Sequence, residues 1–213
     1  SLGNIIASKL ESDGVKVCAP RVQDPTSLAV VSLYKSQPSY QFYRAETAER
    51  KITSQMLHEI TPASIKIFHV GSIALIDGED ANLWERKFSE LGGQGVITSL
   101  DPNIRELLVK NKHQYLDRLK RMSEFANILK LSDEDLNYIV PEASLDDAFD
   151  EICKTTEAEI IVLTMGEKGA RVKTREFSFE VSAAVCDPLV DTVGAGDTFM
   201  GTVLAEINEK KVS

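Results

Sequence analysis

The chain has 213 residues, 43% of them hydrophobic and 27% charged, which is typical of one folded domain with a sizeable core. Its net charge of −9 argues against nucleic acids and anionic membranes as partners. Its three widely spaced cysteines indicate neither a disulfide framework nor a zinc site, so we expect a cytoplasmic protein.

The first part of the chain predicts a helix followed by a small sheet. The helix covers residues 2–12. Strands are predicted over residues 15–18, 28–34 and 40–44. The turn residues between the last two predict a hairpin. We expect these strands to form a β lid at about residues 15–45.

From residue 65 onward, apolar strands alternate with amphipathic helices. The predicted strands cover residues 65–70, 96–100, 127–131 and 160–164, and the predicted helices cover residues 79–91, 112–125 and 145–155. A hairpin follows at residues 171–173 and 177–181. This alternation predicts an α/β, Rossmann-like fold, with a mostly parallel sheet and helices on both faces. We expect one domain over residues 1–213, with its core at about residues 1–14 and 46–213. His69, inside an apolar strand, is expected to be a core histidine.

Polar residues and glycines follow each predicted parallel strand. They include Gly71, Ser72, Asp101 to Arg105, Lys130 to Asp135, and Thr164 to Gly169. In open parallel sheets the carboxyl ends of the strands border the ligand crevice, so we expect these loops to line one pocket. The alternative is that they are polar only because loops generally are.

The segment Asp191 to Gly201 joins a glycine-rich turn to a predicted helix. Gly194 and Gly196 allow backbone conformations in which successive N–H groups converge on an anion. The amides of Ala195 to Asp197 would be the unpaired donors of the helix N-terminus. The helix dipole favours an ionised Asp197, which suits a base that accepts a hydroxyl proton. Alternatively, Asp197 only caps the helix.

Two other glycine-rich motifs do not fit this segment. It lacks the Lys-Ser/Thr ending of a P-loop. Its third glycine, Gly201, comes five residues after Gly196, whereas a dinucleotide fingerprint has a spacing of three. A nicotinamide-dependent oxidoreductase is therefore disfavoured.

The segment resembles the signature of the PfkB-type (ribokinase-like) carbohydrate kinases, whose consensus is close to Asp-Thr-x-Gly-Ala-Gly-Asp-x-Phe. The resemblance implies that Asp197 is the catalytic base and that Gly194, Ala195 and Gly196 form an anion hole. It also implies a monovalent cation site, for potassium, formed by Asp191 and the carbonyl group of Val193.

The loop Asp101 to Arg105 resembles the Asp-Pro-Asn-x-Arg segment of the fructokinase-like branch of this family. The resemblance implies that Asn103 binds the sugar and that Arg105 reaches the sugar or the transferring phosphate. A guanidinium group suits phosphate because it stays charged and offers a planar fork of donors. The alternative is a surface arginine at a helix start.

The segment Lys130 to Asp135 corresponds to the family's Asn-x-x-Glu region, with Ser132 in place of Asn and Asp135 in place of Glu. The resemblance implies that Lys130 and Ser132 contact the nucleotide and that Asp135 binds magnesium through water. The alternative is that Ser132 caps a helix with three acids in its first turn.

The segment Thr164 to Ala170 is similar to the family's Thr-x-Gly-x-x-Gly nucleotide loop. The resemblance implies that Thr164, Gly166 and Gly169 approach ATP. A tight turn between two strands is expected in either case.

The strand Tyr40 to Arg44 resembles the Phe-x-Phe-Tyr-Arg strand that fructokinases and ketodeoxygluconate kinases place in the lid. Phe42 and Arg44 would share one face of the strand and bind the sugar. Alternatively, this face packs on the core or on the lid of a second subunit, as in a homodimer.

Together these resemblances imply a kinase that transfers the γ-phosphoryl group of ATP, with magnesium, to a hydroxyl group of a small, fructose-like sugar. A 2-keto-3-deoxygluconate kinase, a nucleoside kinase and an inactive nucleotide-binding relative are the alternatives. Family members extend further at both ends, so we expect the chain to be incomplete there.

Overall fold

The computed structural model describes residues 1–34, 37–185, 187 and 192–210; for residues 32–34 and 37–40 the description is limited to the backbone. The chain divides into two compact units. The first consists of Ser1–Ser64 and Gly78–Leu83, and the second of Ile65–Asp77 and Trp84–Ser213.

Among the described residues, the first unit contains two whole α-helices, the first residues of a third and a two-stranded antiparallel sheet. Its elements are α1 (Leu2–Ser12), β1 (Leu28–Tyr34), β2 (Gln37–Tyr43) and α2 (Ser54–Ile60). The pairing runs from Leu28 opposite Tyr43 to Tyr34 opposite Gln37, which confirms the predicted hairpin. The strand predicted at residues 15–18 is wrong. In the described chain β1 pairs with β2 alone, so a strand there would leave its backbone groups without a ladder partner.

The second unit is built on a six-stranded sheet in the order β3-β4-β5-β6-β7-β8. The strands are β3 (Ile67–Gly71), β4 (Ile97–Asp101), β5 (Ile128–Ser132), β6 (Ile160–Thr164), β7 (Ala170–Thr174) and β8 (Ser178–Val181). The first four are parallel, and β7 and β8 are antiparallel to their neighbours. The predicted mostly parallel α/β sheet is therefore confirmed.

The helices follow the strands in the predicted alternation. They are α3 (Gly78–Gly93), α4 (Lys112–Ser123), α5 (Asp133–Ile139), α6 (Leu145–Thr155) and α7 (Ala195–Lys210). The side chains of Asn111, Ser132 and Ser144 cap α4, α5 and α6 by accepting a backbone N–H of the first turn. In the part of the chain that the structure describes, none of the helices has the length and apolar character needed to cross a membrane.

One buried apolar cluster of this unit lies against one face of the sheet. Phe68 and Val70 of β3, Leu100 of β4 and Leu129 and Leu131 of β5 belong to one buried cluster. Because side chains alternate along a strand, the residues between them face the opposite side. That second face carries the polar residues described next.

Candidate active site

The loops after β3 and β4 are held together at the carboxyl edge of the sheet. The Ser72 N–H donates to the Pro102 carbonyl oxygen at 3.0 Å. Gly71 is paired with Asp101, and a Cβ atom on Gly71 would overlap the Asp101 carbonyl oxygen, so a side chain cannot be accommodated there. The close approach of these two loops therefore depends on a glycine.

Arg105 folds back onto its own loop. Its Nη1 donates to the Asn103 Oδ1 at 2.6 Å and to the carbonyl oxygens of Asn103 and Ile104 at 3.1 and 3.2 Å. Within the described residues its Nε and Nη2 donate to no acceptor. One edge of the guanidinium group is thus fixed, and the rest can bind an anion.

Asp135 joins the loop after β4 to the start of α5. Its Oδ1 accepts the Ile104 N–H at 2.7 Å and its Oδ2 accepts the Ser132 N–H at 2.9 Å. The Ser132 Oγ accepts the Asp135 N–H at 3.0 Å, which completes a capping box.

This geometry favours the capping alternative at Asp135, and the water-mediated magnesium contact stays a prediction. The residue is only 3% exposed, and both carboxylate oxygens already bind backbone amides. Across the described ranges, moreover, no group of three or more His, Cys, Asp or Glu side chains is placed to hold a metal ion.

Lys130 and Asp101 form a buried ion pair on the polar face of the sheet. The Lys130 Nζ lies 3.2 and 3.1 Å from the two carboxylate oxygens of Asp101, and each side chain is 5% exposed. A Cβ atom on Gly196 would lie 3.5 Å from the same Nζ. The structure therefore brings the lysine ammonium to the first turn of α7.

The charges at this place influence one another. Burial raises the pKa of Asp101 to about 6, although the Lys130 ammonium opposes this shift. The carboxylates of Asp135 and Asp197 raise the same pKa further. Asp197 therefore lies within electrostatic reach of the buried pair.

His69 also faces this group of charges, so its prediction as a core histidine is wrong. The side chain is exposed, and its Nδ1 lies 3.0 Å from the Ser99 Oγ. Partial desolvation lowers the pKa of His69, the Asp197 carboxylate opposes the shift, and Lys130 adds to it. Strand alternation explains the placement, since the core residues Phe68 and Val70 point to the other face.

The start of α7 offers two unpaired backbone donors. Gly194 has a φ of +80°, which favours glycine, and the Ala195 N–H donates to the Thr192 carbonyl oxygen at 3.1 Å. The amides of Gly196 and Asp197 donate to no acceptor among the described residues. The prediction of three free amides therefore needs correction, because the turn itself occupies that of Ala195. The Asp197 side chain is exposed beside the other two.

The connection between β6 and β7 is the tight turn that the sequence predicts. The Met165 N–H donates to the Gly169 carbonyl oxygen at 2.8 Å, and Gly166 and Gly169 have φ values of +55° and +95°. A Cβ atom on Gly169 would overlap the Val181 carbonyl oxygen, whereas one on Gly166 would meet open space. Thr164, at the end of β6, donates from Oγ1 to the Leu131 carbonyl oxygen at 3.4 Å.

The remaining predicted residues are Phe42, Arg44, Val193 and Asp191. Phe42 and Arg44 belong to the first unit, and Arg44 lies beyond the end of β2, so the two do not share a strand face. The Arg44 Nε donates to Glu49 at 2.5 Å, and its side chain is 10% exposed. Val193 is exposed, and Asp191 lies outside the described residues.

The sequence interpretation missed Asp101 as a partner of Lys130. A signal for the pair exists, since Lys130 interrupts the apolar strand Ile128–Ser132. A lysine is rarely fully buried unless it is paired with an acid. The sequence did not reveal which acid is the partner, because Asp101 lies 29 positions away.

The sequence of the chain is also similar to those of known proteins. A family model described as "pfkB family carbohydrate kinase" matches residues 1–212. The chain is similar to the fructokinase of Rhizobium leguminosarum bv. trifolii, with 34% identity over 210 residues that cover 97% of this chain and 62% of the fructokinase. The chain thus spans less than two thirds of the length of this curated relative.

The chain is also similar to proteins of known structure. Fructokinase from Vibrio cholerae O395, in its fructose, ADP and calcium ion bound form, is 26% identical with a TM-score of 0.81, over 95% of this chain and 65% of that chain. A double mutant of fructokinase from the same source, with fructose, ADP and potassium ion bound, is 25% identical with a TM-score of 0.80 over the same shares.

Proposed function

The chain belongs to the pfkB family of carbohydrate kinases, and we propose that it transfers the γ-phosphoryl group of ATP to a primary hydroxyl group of a small, fructose-like sugar. The observation that carries the proposal is the arrangement of groups at the start of α7. Two unpaired amides, the positive end of the helix dipole and the exposed Asp197 lie beside the buried Lys130 ammonium.

In this proposal Asp197 accepts the proton of the attacking hydroxyl group. A bond forms between the sugar oxygen and the γ-phosphorus, and the bond from that phosphorus to the bridging oxygen breaks, so that ADP leaves. The amides of Gly196 and Asp197 meet the charge on the phosphoryl oxygens, and the φ of Gly194 lets the turn present them. Because such transition states are loose, positioning and charge stabilisation do most of the work.

Arg105 supplies a second positive group for phosphate or sugar. Its Nη1 is held by Asn103, which fixes the direction of the guanidinium group before a ligand arrives. The remaining nitrogens present the planar fork that suits phosphate oxygens. Asn103 would contact the sugar from the same loop.

ATP, as its magnesium complex, is the proposed nucleotide substrate. Lys130, Ser132, Thr164, Gly166 and Gly169 are the residues we propose to contact it. The open space at Gly166 supports a close approach of the nucleotide to the backbone. No step is assigned to Asp135.

Four further assignments belong to the same proposal. Asp191 and the carbonyl group of Val193 would bind a potassium ion. Phe42 and Arg44 would contact the sugar, which requires Arg44 to exchange its bond to Glu49. A homodimer through the β1-β2 sheet would cover exposed apolar side chains there, among them Val30, Val31 and Tyr43. The reaction would take place in the cytoplasm.

A coupled assay of ADP release tests the proposal, with fructose, ribose, 2-keto-3-deoxygluconate and adenosine as acceptors. We expect the highest kcat/KM with fructose. A higher value with another acceptor would reassign the substrate. If calorimetry shows ATP binding but no acceptor gives turnover, the chain is an inactive nucleotide-binding relative. Thermal protection by NAD and none by ATP would point to an oxidoreductase.

A further inference from the structure

The buried ion pair of Lys130 and Asp101, on the polar face of the sheet, carries a free-energy cost of desolvation. Taking each charge out of water costs several kcal/mol, and well-packed apolar residues often serve stability equally well. Both side chains are 5% exposed, so water does not screen the pair. Such a pair calls for an explanation other than stability.

The position of the ammonium offers one. The Lys130 Nζ lies against Gly196, where an added Cβ atom would be 3.5 Å away. A cation is disfavoured at the N-terminus of a helix, because the helix dipole is positive there. The ammonium and the free amides of Gly196 and Asp197 therefore all attract an anion to the same place.

We propose that Asp101 is a positioning residue, which holds the Lys130 ammonium at the start of α7 so that ammonium and amides form one site for the transferring phosphoryl group. The proposal rests on the proposed function and deepens it. Lys130 thereby acts on the phosphoryl group that moves, and Asp101 acts only through Lys130.

The surrounding charges fit this arrangement. Three other titratable groups interact electrostatically with the pair, namely Asp135 of α5, Asp197 of α7 and His69 of β3. Burial and the two carboxylates raise the pKa of Asp101 to about 6, against the pull of Lys130. Asp101 is thus ionised above neutral pH and can hold the ammonium there. At lower pH, protonation of Asp101 weakens the ion pair.

Three variants test the proposal by steady-state kinetics between pH 5.5 and 9: Asp101→Asn, Lys130→Met and the double variant. We expect Lys130→Met to lower kcat by about 10²–10³-fold, as when one donor to a transition-state anion is lost. Asp101→Asn should lower kcat by about 10-fold to 100-fold at pH 8 and by less at pH 6.5. At pH 6.5 part of the wild-type Asp101 is already protonated, because its pKa is about 6, so the wild type and Asp101→Asn then differ less.

The double variant should match Lys130→Met and lack this extra pH dependence. The matched control is Lys87→Met, which removes another buried lysine whose partner is Glu90 at 2.8 Å. Its kcat and pH profile should equal those of the wild type. A purely structural role of Asp101 would lower the melting temperature while kcat and its pH profile stay at wild-type values, and that result would overturn the proposal.

A second measurement does not need turnover. Titration calorimetry with inorganic phosphate should show at least tenfold weaker binding to Lys130→Met and to Gly196→Ala, and an intermediate loss with Asp101→Asn. Gly196→Ala adds one methyl group at ordinary contact distance, so it should fold normally. A wild type that binds phosphate but transfers no phosphoryl group would refute the proposed function alone. Equal phosphate affinity in all variants would refute the role of the pair.

Discussion

The Asp135 carboxylate accepts a hydrogen bond from the Ile104 amide at 2.7 Å, although 31 positions separate the two residues. Its other oxygen accepts the Ser132 amide, so one buried side chain links the loop that carries Arg105 to the start of α5. The acid thus orients the Arg105 loop through backbone hydrogen bonds.

Replacement of Asp135 by Ala should lower the free energy of unfolding by roughly 2–4 kcal/mol, because two buried amides lose a charged acceptor. Asp135→Asn keeps one acceptor oxygen and should lose less. The Arg105 loop should move in both variants and reduce kcat/KM about tenfold, which is the rate cost of about 1.4 kcal/mol. Urea unfolding and the ADP-release assay measure both effects.

The control for Asp135 is Asp133→Asn, an exposed acid in the same helix turn, which should change neither stability nor activity. Unchanged stability of Asp135→Asn, combined with a higher magnesium requirement, would instead support the metal role that the sequence suggested.

Local patterns were sufficient to predict most elements of the fold. The helix Leu145–Thr155 and the strand Ile160–Thr164 lie at the predicted residues, because periodicity and a serine cap define them locally. The helices Ser54–Ile60 and Asp133–Ile139 are only seven residues long, too short for a clear 3.6-residue period. The first was not predicted, and the second was only an alternative.

Long-range pairing accounts for the remaining differences. Residues 15–18 have a strand-like composition, yet a strand needs a partner, and composition does not reveal one. The contacts of Asp101 with Lys130 and of Asp135 with Ile104 connect positions 29 and 31 apart. The residue types at the candidate site were therefore predictable, whereas the partners that orient them were not.

Replacement of Asp197 by Asn should lower kcat by about 10²–10⁴-fold, since an amide cannot accept the hydroxyl proton. The side chain is exposed, and it interacts with the helix dipole, Asp101 and His69 only through electrostatics, so the free energy of unfolding should change by no more than about 1 kcal/mol. Glu209→Gln, on the exposed end of the same helix, is the control and should keep full activity. Substantial turnover by Asp197→Asn would contradict its assignment as the base.

Gly169 and Gly166 allow a matched comparison within one turn. Gly169→Ala should strongly destabilise the β7-β8 hairpin, because its Cβ atom would overlap the Val181 carbonyl oxygen at a φ of +95°. Gly166→Ala meets open space and should cost only about 1–2 kcal/mol for its left-handed conformation. If ATP approaches this backbone, Gly166→Ala will also weaken ATP binding in calorimetry. Equal destabilisation by both variants would contradict the steric argument.

Arg118 should contribute more to stability than Arg121, although both bind Glu85. The Arg118 Nε lies 3.0 Å from the carboxylate, its Nη1 donates to the Leu75 carbonyl oxygen at 3.0 Å, and its side chain is 10% exposed. Arg118→Met should therefore lower the free energy of unfolding by about 1–3 kcal/mol, because the Leu75 carbonyl oxygen loses a buried charged donor while Glu85 keeps Arg121. Arg121 is 55% exposed, so Arg121→Met should cost less than about 1 kcal/mol. Chemical denaturation measures both losses in the free energy of unfolding. Equal losses for the two variants would contradict this prediction.

Asp101 should give the stability of the chain an unusual pH dependence. Its pKa rises from the ordinary 3.8 to about 6 on folding. Between these values the folded chain holds a proton that the unfolded chain has lost, so the stabilising contribution is complete below about pH 4 and disappears as the pH rises through 6. A shift of about two pKa units corresponds to roughly 3 kcal/mol. Glu85 acts in the opposite direction: burial raises its pKa, but Arg121 and Arg118 together lower it by more.

The effect of Asp101 can be isolated with the double variant Asp101→Asn, Lys130→Met, which carries no charge at either position. The free energy of unfolding of the wild type minus that of the double variant should fall by about 2–3 kcal/mol between pH 4 and pH 7, since all other titrating groups are common to both chains. Guanidinium titrations at four pH values are sufficient to measure the slope. A difference that stays constant or rises with pH would mean that Asp101 is not held in a desolvated site, and the ion pair would then be an ordinary solvated one.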